Sequence, residues 1–317
     1  MAMRKSGSLD LRLTLGDLIG SGSRALTRYT GTLLTVFVVQ SLVAVATMLA
    51  CAVVLASVFS HLPMWDDAVD GDLVSLVTCL RFARLNLAAC AGIVFGAVLL
   101  WQLASWFLVG GVYGVLSQRP EGRAETARTF GASGTATYLA YARLSMCSLP
   151  GYLVVLFVFA ICTGAVAGRI EHALTVGDLV MPVIVSLVPA GVLLHVLWTV
   201  SDYARVELTL RHDSHAPGSL RAYLRAFAFV LRRPLTLVHA SLGWLGFAAI
   251  TVGYMYLASG HPMYGAEGAI TLFVIRSGVS LARMALRFAV LAGQVDLGGS
   301  RPPPPRRVEI KSDAKPQ

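Results

Sequence analysis

Long uncharged runs alternate with short charged stretches along this chain, and the longest run sets the scale. Leu85 to Gln118 holds thirty-four residues without a charge. As a helix it would be about 50 Å long, against a hydrocarbon core of about 30 Å. The run predicts a membrane-crossing helix with length to spare. Within it Ala88, Gly92 and Gly96 repeat every four residues, as do Gly110 and Gly114. That spacing predicts small residues on one face where a second helix can approach closely.

Five further runs predict five further spans: Thr32 to Phe59, Leu144 to Gly168, Leu179 to Ser201, one within Pro234 to Ala266, and Ala269 to Gln294. Pro182 and Pro189 predict a kink in the fourth span. Residues 73–84 read as an outer extension of the second. Between the spans lie segments of mixed character. Residues 8–28 place Leu11, Leu15, Leu18 and Ile19 broadly on one side and Arg12, Asp17 and Arg24 elsewhere, as an interfacial helix does. Arg119 to Arg143, rich in Gly, Thr and Arg, reads as a loop whose second half suits an interface. After Pro217-Gly218, Ser219 reads as the N-cap of a helix. That helix carries Leu220, Leu224, Phe227 and Leu231 on one face and Arg221, Arg225 and Arg232 on another.

The expected fold class is therefore all-α: a polytopic membrane protein of six transmembrane helices, with interfacial amphipathic helices on the cytoplasmic side. The membrane domain covers 1–297, with possible repeat units at 1–118, 119–201 and 202–294. A proline-rich tail, 298–317, is expected to be disordered and cytoplasmic.

Charge decides the orientation. Twenty of the 26 Lys and Arg fall on the side that holds both termini, three on the opposite loops, and three inside the last span. This is the positive-inside pattern, so both termini are expected in the cytoplasm of a bacterial inner membrane. Composition agrees: 56% of residues are hydrophobic and only 14% charged. The net charge of +9 follows orientation rather than a nucleic-acid-binding face. Cys51, Cys79, Cys90, Cys147 and Cys162 show no CxxC spacing and read as small hydrophobes.

Four segments carry a resemblance: LVGGVYGVL, DYARVEL, SLRAYLRAFAFVLRRP and ARMALRFAVLAGQVDL. Together they resemble a group of bacterial six-helix membrane proteins without assigned function. In outline the chain is similar to the membrane domain preceding the catalytic barrel of some glycerophosphodiester phosphodiesterases. The likeness spans roughly residues 10 to 297. It implies a fold, not an activity, because only a short tail follows the membrane region and no catalytic residue transfers.

The strongest candidate site is a stripe of arginines in the last span. At about 100° per residue, Arg276, Arg283 and Arg287 lie within about 20° of one line. Arginine inside a bilayer costs about 2.5 kcal/mol or more, so the stripe should face water, the bundle or an anion. One reading is an anion or lipid-headgroup site, with Asp202 at the inner end of span four as the nearest acidic partner. The other is that Arg283 and Arg287 snorkel to the cytoplasmic surface and only Arg276 is deep. His61, His172 and His261 fall in three different outer loops without metal-ligand spacing. His195 and His239 read as packing residues. No nucleophile elbow, phosphate-binding loop, dinucleotide turn or carboxylate pair is present, so neither an enzyme nor a cofactor or metal is expected. The spans lack interior carboxylates, which weighs against a cation-driven transporter. The expected function is a non-enzymatic scaffold or accessory protein. The alternative is a permease for an anionic or amphipathic solute. Expected partners are membrane lipids and either a membrane protein or a second copy of the chain.

Overall fold

The computed structural model describes residues 13–59, 61–62, 67, 73–172, 175–210, 218–259 and 265–300. The interfacial segment before Leu13, most of the acidic loop after Phe59, His261, Pro217 and the tail from Arg301 lie outside them; Gly298 and Gly299, expected in the disordered tail, instead complete the last helix. Every regular element among the described residues is an α-helix. In chain order these are α1 (Leu15–Arg28), α2 (Thr30–Phe59), α3 (Leu73–Phe82), α4 (Arg84–Gln118), α5 (Arg123–Glu171), α6 (Val176–Leu210), α7 (Ser219–Arg232), α8 (Pro234–Ser259) and α9 (Gly265–Gly299). Five of them, α2, α4, α5, α6 and α8, are long and apolar enough to cross a membrane. The helix α9 is as long as α4, but Arg276, Arg283 and Arg287 interrupt its apolar run.

Local chemistry fixes several boundaries. Thr14 caps α1 reciprocally: its hydroxyl oxygen accepts from the Asp17 amide at 3.3 Å, and the Asp17 carboxylate accepts from the Thr14 amide at 2.8 Å. At the other end of α4, Arg119 adopts a left-handed conformation with φ 53°. Gly122 follows at φ +85°, and the chain reverses into α5. A non-glycine residue in this conformation costs about 1 kcal/mol. Here it is tethered by an ion pair between Arg119 and Asp296 of α9.

Of the segment expected as a loop, 119–143, only the first four residues turn; from Arg123 on it is the first part of α5, a continuous helix of 49 residues. Its small residues serve packing rather than turning. A Cβ added at Gly114 would overlap Ser133, and one at Gly110 would overlap Thr137. A Cβ on Gly134 would lie 2.8 Å from the Phe107 carbonyl oxygen. The α4–α5 hairpin therefore closes backbone on backbone, as small residues permit. The other small-residue ridge does not pack. Ala88, Gly92 and Gly96 are exposed, and nothing lies within 4 Å of a Cβ at either glycine. Spacing alone does not say whether a facing helix exists.

Two more corrections concern α6 and α7. The helix α6, expected to end its span at Ser201, continues to Leu210, with Pro182 and Pro189 both inside it. The N-cap of α7 is Gly218; the Ser219 hydroxyl instead donates to the Ala140 carbonyl at 3.1 Å. The buried face of α7 is Ala222, Ala226 and Val230, while Leu220, Leu224, Phe227 and Leu231 point outward. Small residues let α7 lie close on its neighbours, and its larger apolar side chains are left unburied.

The core gathers at one end of the bundle. It draws on Leu18 and Ala25 of α1, Val112 to Leu116 of α4, Tyr141 and Leu144 of α5, Val200 to Leu208 of α6, and Phe288 to Leu297 of α9. In α1, a Cβ on Gly22 would lie 2.9 Å from the Ala289 carbonyl oxygen, so α1 and α9 touch through their backbones. At the opposite end, large apolar side chains on every described span stand exposed, as lipid-facing residues do.

Candidate functional site

The best-connected polar group of the core is Asp202, which lies on α6 eight residues before Leu210 and has only 4% of its side chain exposed. Arg287 reaches it from α9, with Nη2 donating to both carboxylate oxygens at 2.7 and 2.8 Å. Arg205 donates from Nη1 at 3.4 Å and Gln294 from Nε2 at 3.3 Å. Tyr113 donates to the Asp202 backbone carbonyl at 3.5 Å. Beside it Tyr141 donates to the Arg205 carbonyl at 3.3 Å, and the two rings meet edge-on at 6.4 Å. Four helices thus meet around Asp202, and two of them, α6 and α9, supply the donors to its carboxylate. A buried charge is tolerable only when paired and hydrogen-bonded, and Asp202 is both. Two guanidiniums around one carboxylate leave the node with a net positive charge, and about half of the Arg287 side chain is exposed.

The three arginines of α9 occupy three different environments. Arg287 belongs to the Asp202 node. Arg283, four residues nearer the start of α9, turns to α8 instead: its Nη2 donates to Thr251 Oγ1 at 2.7 Å and its guanidinium lies 4.6 Å from the Phe247 ring centroid. Its Nε is buried without a hydrogen-bond partner among the described residues. Arg276 is exposed and has no ion pair among the described residues. The stripe therefore does not act as one group. Asp202 engages Arg287 alone of the three.

Sequence reasoning missed six members of these clusters: Tyr113, Tyr141, Arg205, Gln294, Phe247 and Thr251. The last two sit at i and i+4 on α8, a pair that a facing arginine can bridge.

Other polar groups have local roles. Glu207, on the same helix as Asp202, is 3% exposed and pairs with Arg225 of α7 at 3.3 Å. His195 shares a hydrogen bond with Ser241 at 3.1 Å, and Trp198 stacks on Trp244 at 4.9 Å, joining α6 to α8. His239 is buried against α9, where a Cβ on Gly293 would lie 2.7 Å from its ring. Among the described residues no group of three His, Cys, Asp or Glu side chains could hold a metal ion. Compared with known protein families, curated proteins and solved structures, the chain matches none.

Proposed function

We propose that the chain is a six-span protein of a bacterial cytoplasmic membrane, with α9 as the sixth span and the packed end facing the cytoplasm. Its work is non-enzymatic: a scaffold or accessory protein that gathers anionic lipid, or a membrane partner, against a basic inner face. The observation that carries this reading is the outward stripe of α7. Leu220, Leu224 and Leu231 are each close to 60% exposed, and Arg221 and Arg232 stand exposed beside them. An apolar stripe flanked by arginine suits the boundary between acyl chains and acidic headgroups. Arg24, Arg123, Arg128 and Arg143 are exposed on α1 and α5, extending the positive surface.

The test is lipid retention. Full-length protein purified in neutral detergent should carry phosphatidylglycerol in stoichiometric amount. Replacing Leu224 and Leu231 with Ser, or Arg221 and Arg232 with Gln, should remove most of it while the fold persists. Reporter fusions at Glu125 and Asp313 should read as cytoplasmic, and one at Asp67 as external. Saturable uptake of an anionic solute into proteoliposomes, with no lipid retained, would favour a permease instead.

A further inference from the structure

The seam between α8 and α9 contains a second arrangement, separate from the inner face. Arg283 is held from two sides, by the Phe247 ring and the Thr251 hydroxyl, yet neither contact is anionic. Thr251 cannot be a counter-charge, and its own hydroxyl hydrogen is donated to the Phe247 carbonyl at 2.7 Å. About 10 Å further along α9, on the same side, comes Arg276. Arg287 provides the internal control: on the same helix, it has a carboxylate. The seam's arginines have none among the described residues.

Their surroundings make this costly. Val252 and Met255 of α8 and Phe273 and Val274 of α9 are all more than half exposed, as side chains that meet acyl chains are. Two guanidiniums on this apolar stretch, without a counter-charge among the described residues, call for solvation from outside the chain. Guanidinium geometry favours an oxyanion with two or more oxygens, and Arg283 is already oriented by its ring and hydroxyl contacts, so little further ordering is needed. With Nε buried and Nη2 already donating to Thr251, Nη1 is the Arg283 nitrogen left for a ligand.

We propose that Arg283 and Arg276 form a seat for a phosphate oxyanion in the α8–α9 seam, with Phe247 and Thr251 as the posts that aim Arg283. The phosphate arrives on a lipid, whose tails lie along the exposed apolar side chains, or as the free ion.

The experiment separates these sources. Full-length protein in neutral detergent is titrated with phosphatidylglycerol, phosphatidylcholine or sodium phosphate, and bound mass is read by native mass spectrometry. Phosphatidylglycerol should bind at least tenfold tighter than phosphatidylcholine, and Arg283→Gln or Arg276→Gln should each remove about tenfold of that advantage. Phe247→Leu should weaken binding less, by loosening Arg283. Competition by sodium phosphate would assign the seat to the free ion as well; no competition assigns it to the lipid. If Arg283→Gln fails to fold, Arg276→Gln still decides, because Arg276 is exposed and makes no ion pair. Equal binding of the two lipids, with no phosphate binding, would overturn the proposal, as would wild-type affinity in both arginine variants. Loss of phosphatidylglycerol in the α7 variants alone would place the lipid at the inner face and also overturn the seat.

Discussion

The helix α4 behaves as two different helices joined end to end. In its last third Leu108, Val112, Tyr113, Val115 and Leu116 are buried, with Gly110, Gly111 and Gly114 pressed against α5. In its first half Val94, Phe95, Val98, Leu99 and Leu100 are exposed, and Gly92 and Gly96 face open space. The first half is more uniformly apolar, yet the last third is the part that packs. The contrast shows what drives association here. Lipid tails are as apolar as leucine, so hydrophobicity gives helices no reason to meet inside a bilayer. Close packing arises where small residues admit a backbone and where polar groups need partners. At the packed end both conditions hold, with Asp202 at the focus.

Leucine substitutions should show this contrast most sharply. Gly114→Leu should abolish folded yield in detergent, because even a Cβ overlaps Ser133. Gly96→Leu should leave yield and melting temperature unchanged. Equal effects at both sites would erase the distinction between the two parts of α4.

Next in size is the carboxylate. Asp202→Leu strands Arg287 and Arg205, and should cost about 3 kcal/mol, read as a lower thermal midpoint. Adding Arg287→Leu should restore more than half of the loss. A double variant no better than the single would show that Asp202 acts through something other than this pair.

The smallest effects lie at the start of α1. Thr14→Ala removes one half of the cap and should cost about 1 kcal/mol, seen as faster amide exchange in the first turn. The bonds from the Thr14 amide and hydroxyl hold the Asp17 carboxyl below its usual range. Stability from this group is therefore complete above about pH 4 and fades as pH falls through the lowered value. Exchange in α1 should rise in acid before exchange in α4 does. Simultaneous loss of both would mean that the cap is not the weak point.

Charge-free runs made the spans legible, because no soluble helix needs thirty-four uncharged residues. Their ends were harder to place. Arg119 to Arg143 looked like a loop since glycine and threonine loosen a chain in water; against a facing helix the same residues let backbones meet. The ridge at Gly92 and Gly96 carried an identical signal but has no facing helix, and a single sequence cannot tell the two apart. Asp202 and Arg287 could be named from type and approximate depth. Phe247 and Thr251 could not, because nothing along α9 says which residues of α8 stand opposite Arg283.

The Asp202 node also fixes an order of assembly. Its two charges are 85 residues apart in the chain. At about 5–20 residues per second of synthesis, roughly 4 to 17 s separate the appearance of the carboxylate from that of Arg287. The backbone contact between Gly22 and Ala289 and the tether from Arg119 to Asp296 wait on the same helix. The translating ribosome thus finishes the hairpins first and delivers their clasp afterwards. A nascent chain halted before Arg287 keeps an acid paired only with Arg205 and an uncovered side of α1, so an incomplete copy differs from a finished one in features that membrane proteases and chaperones can detect.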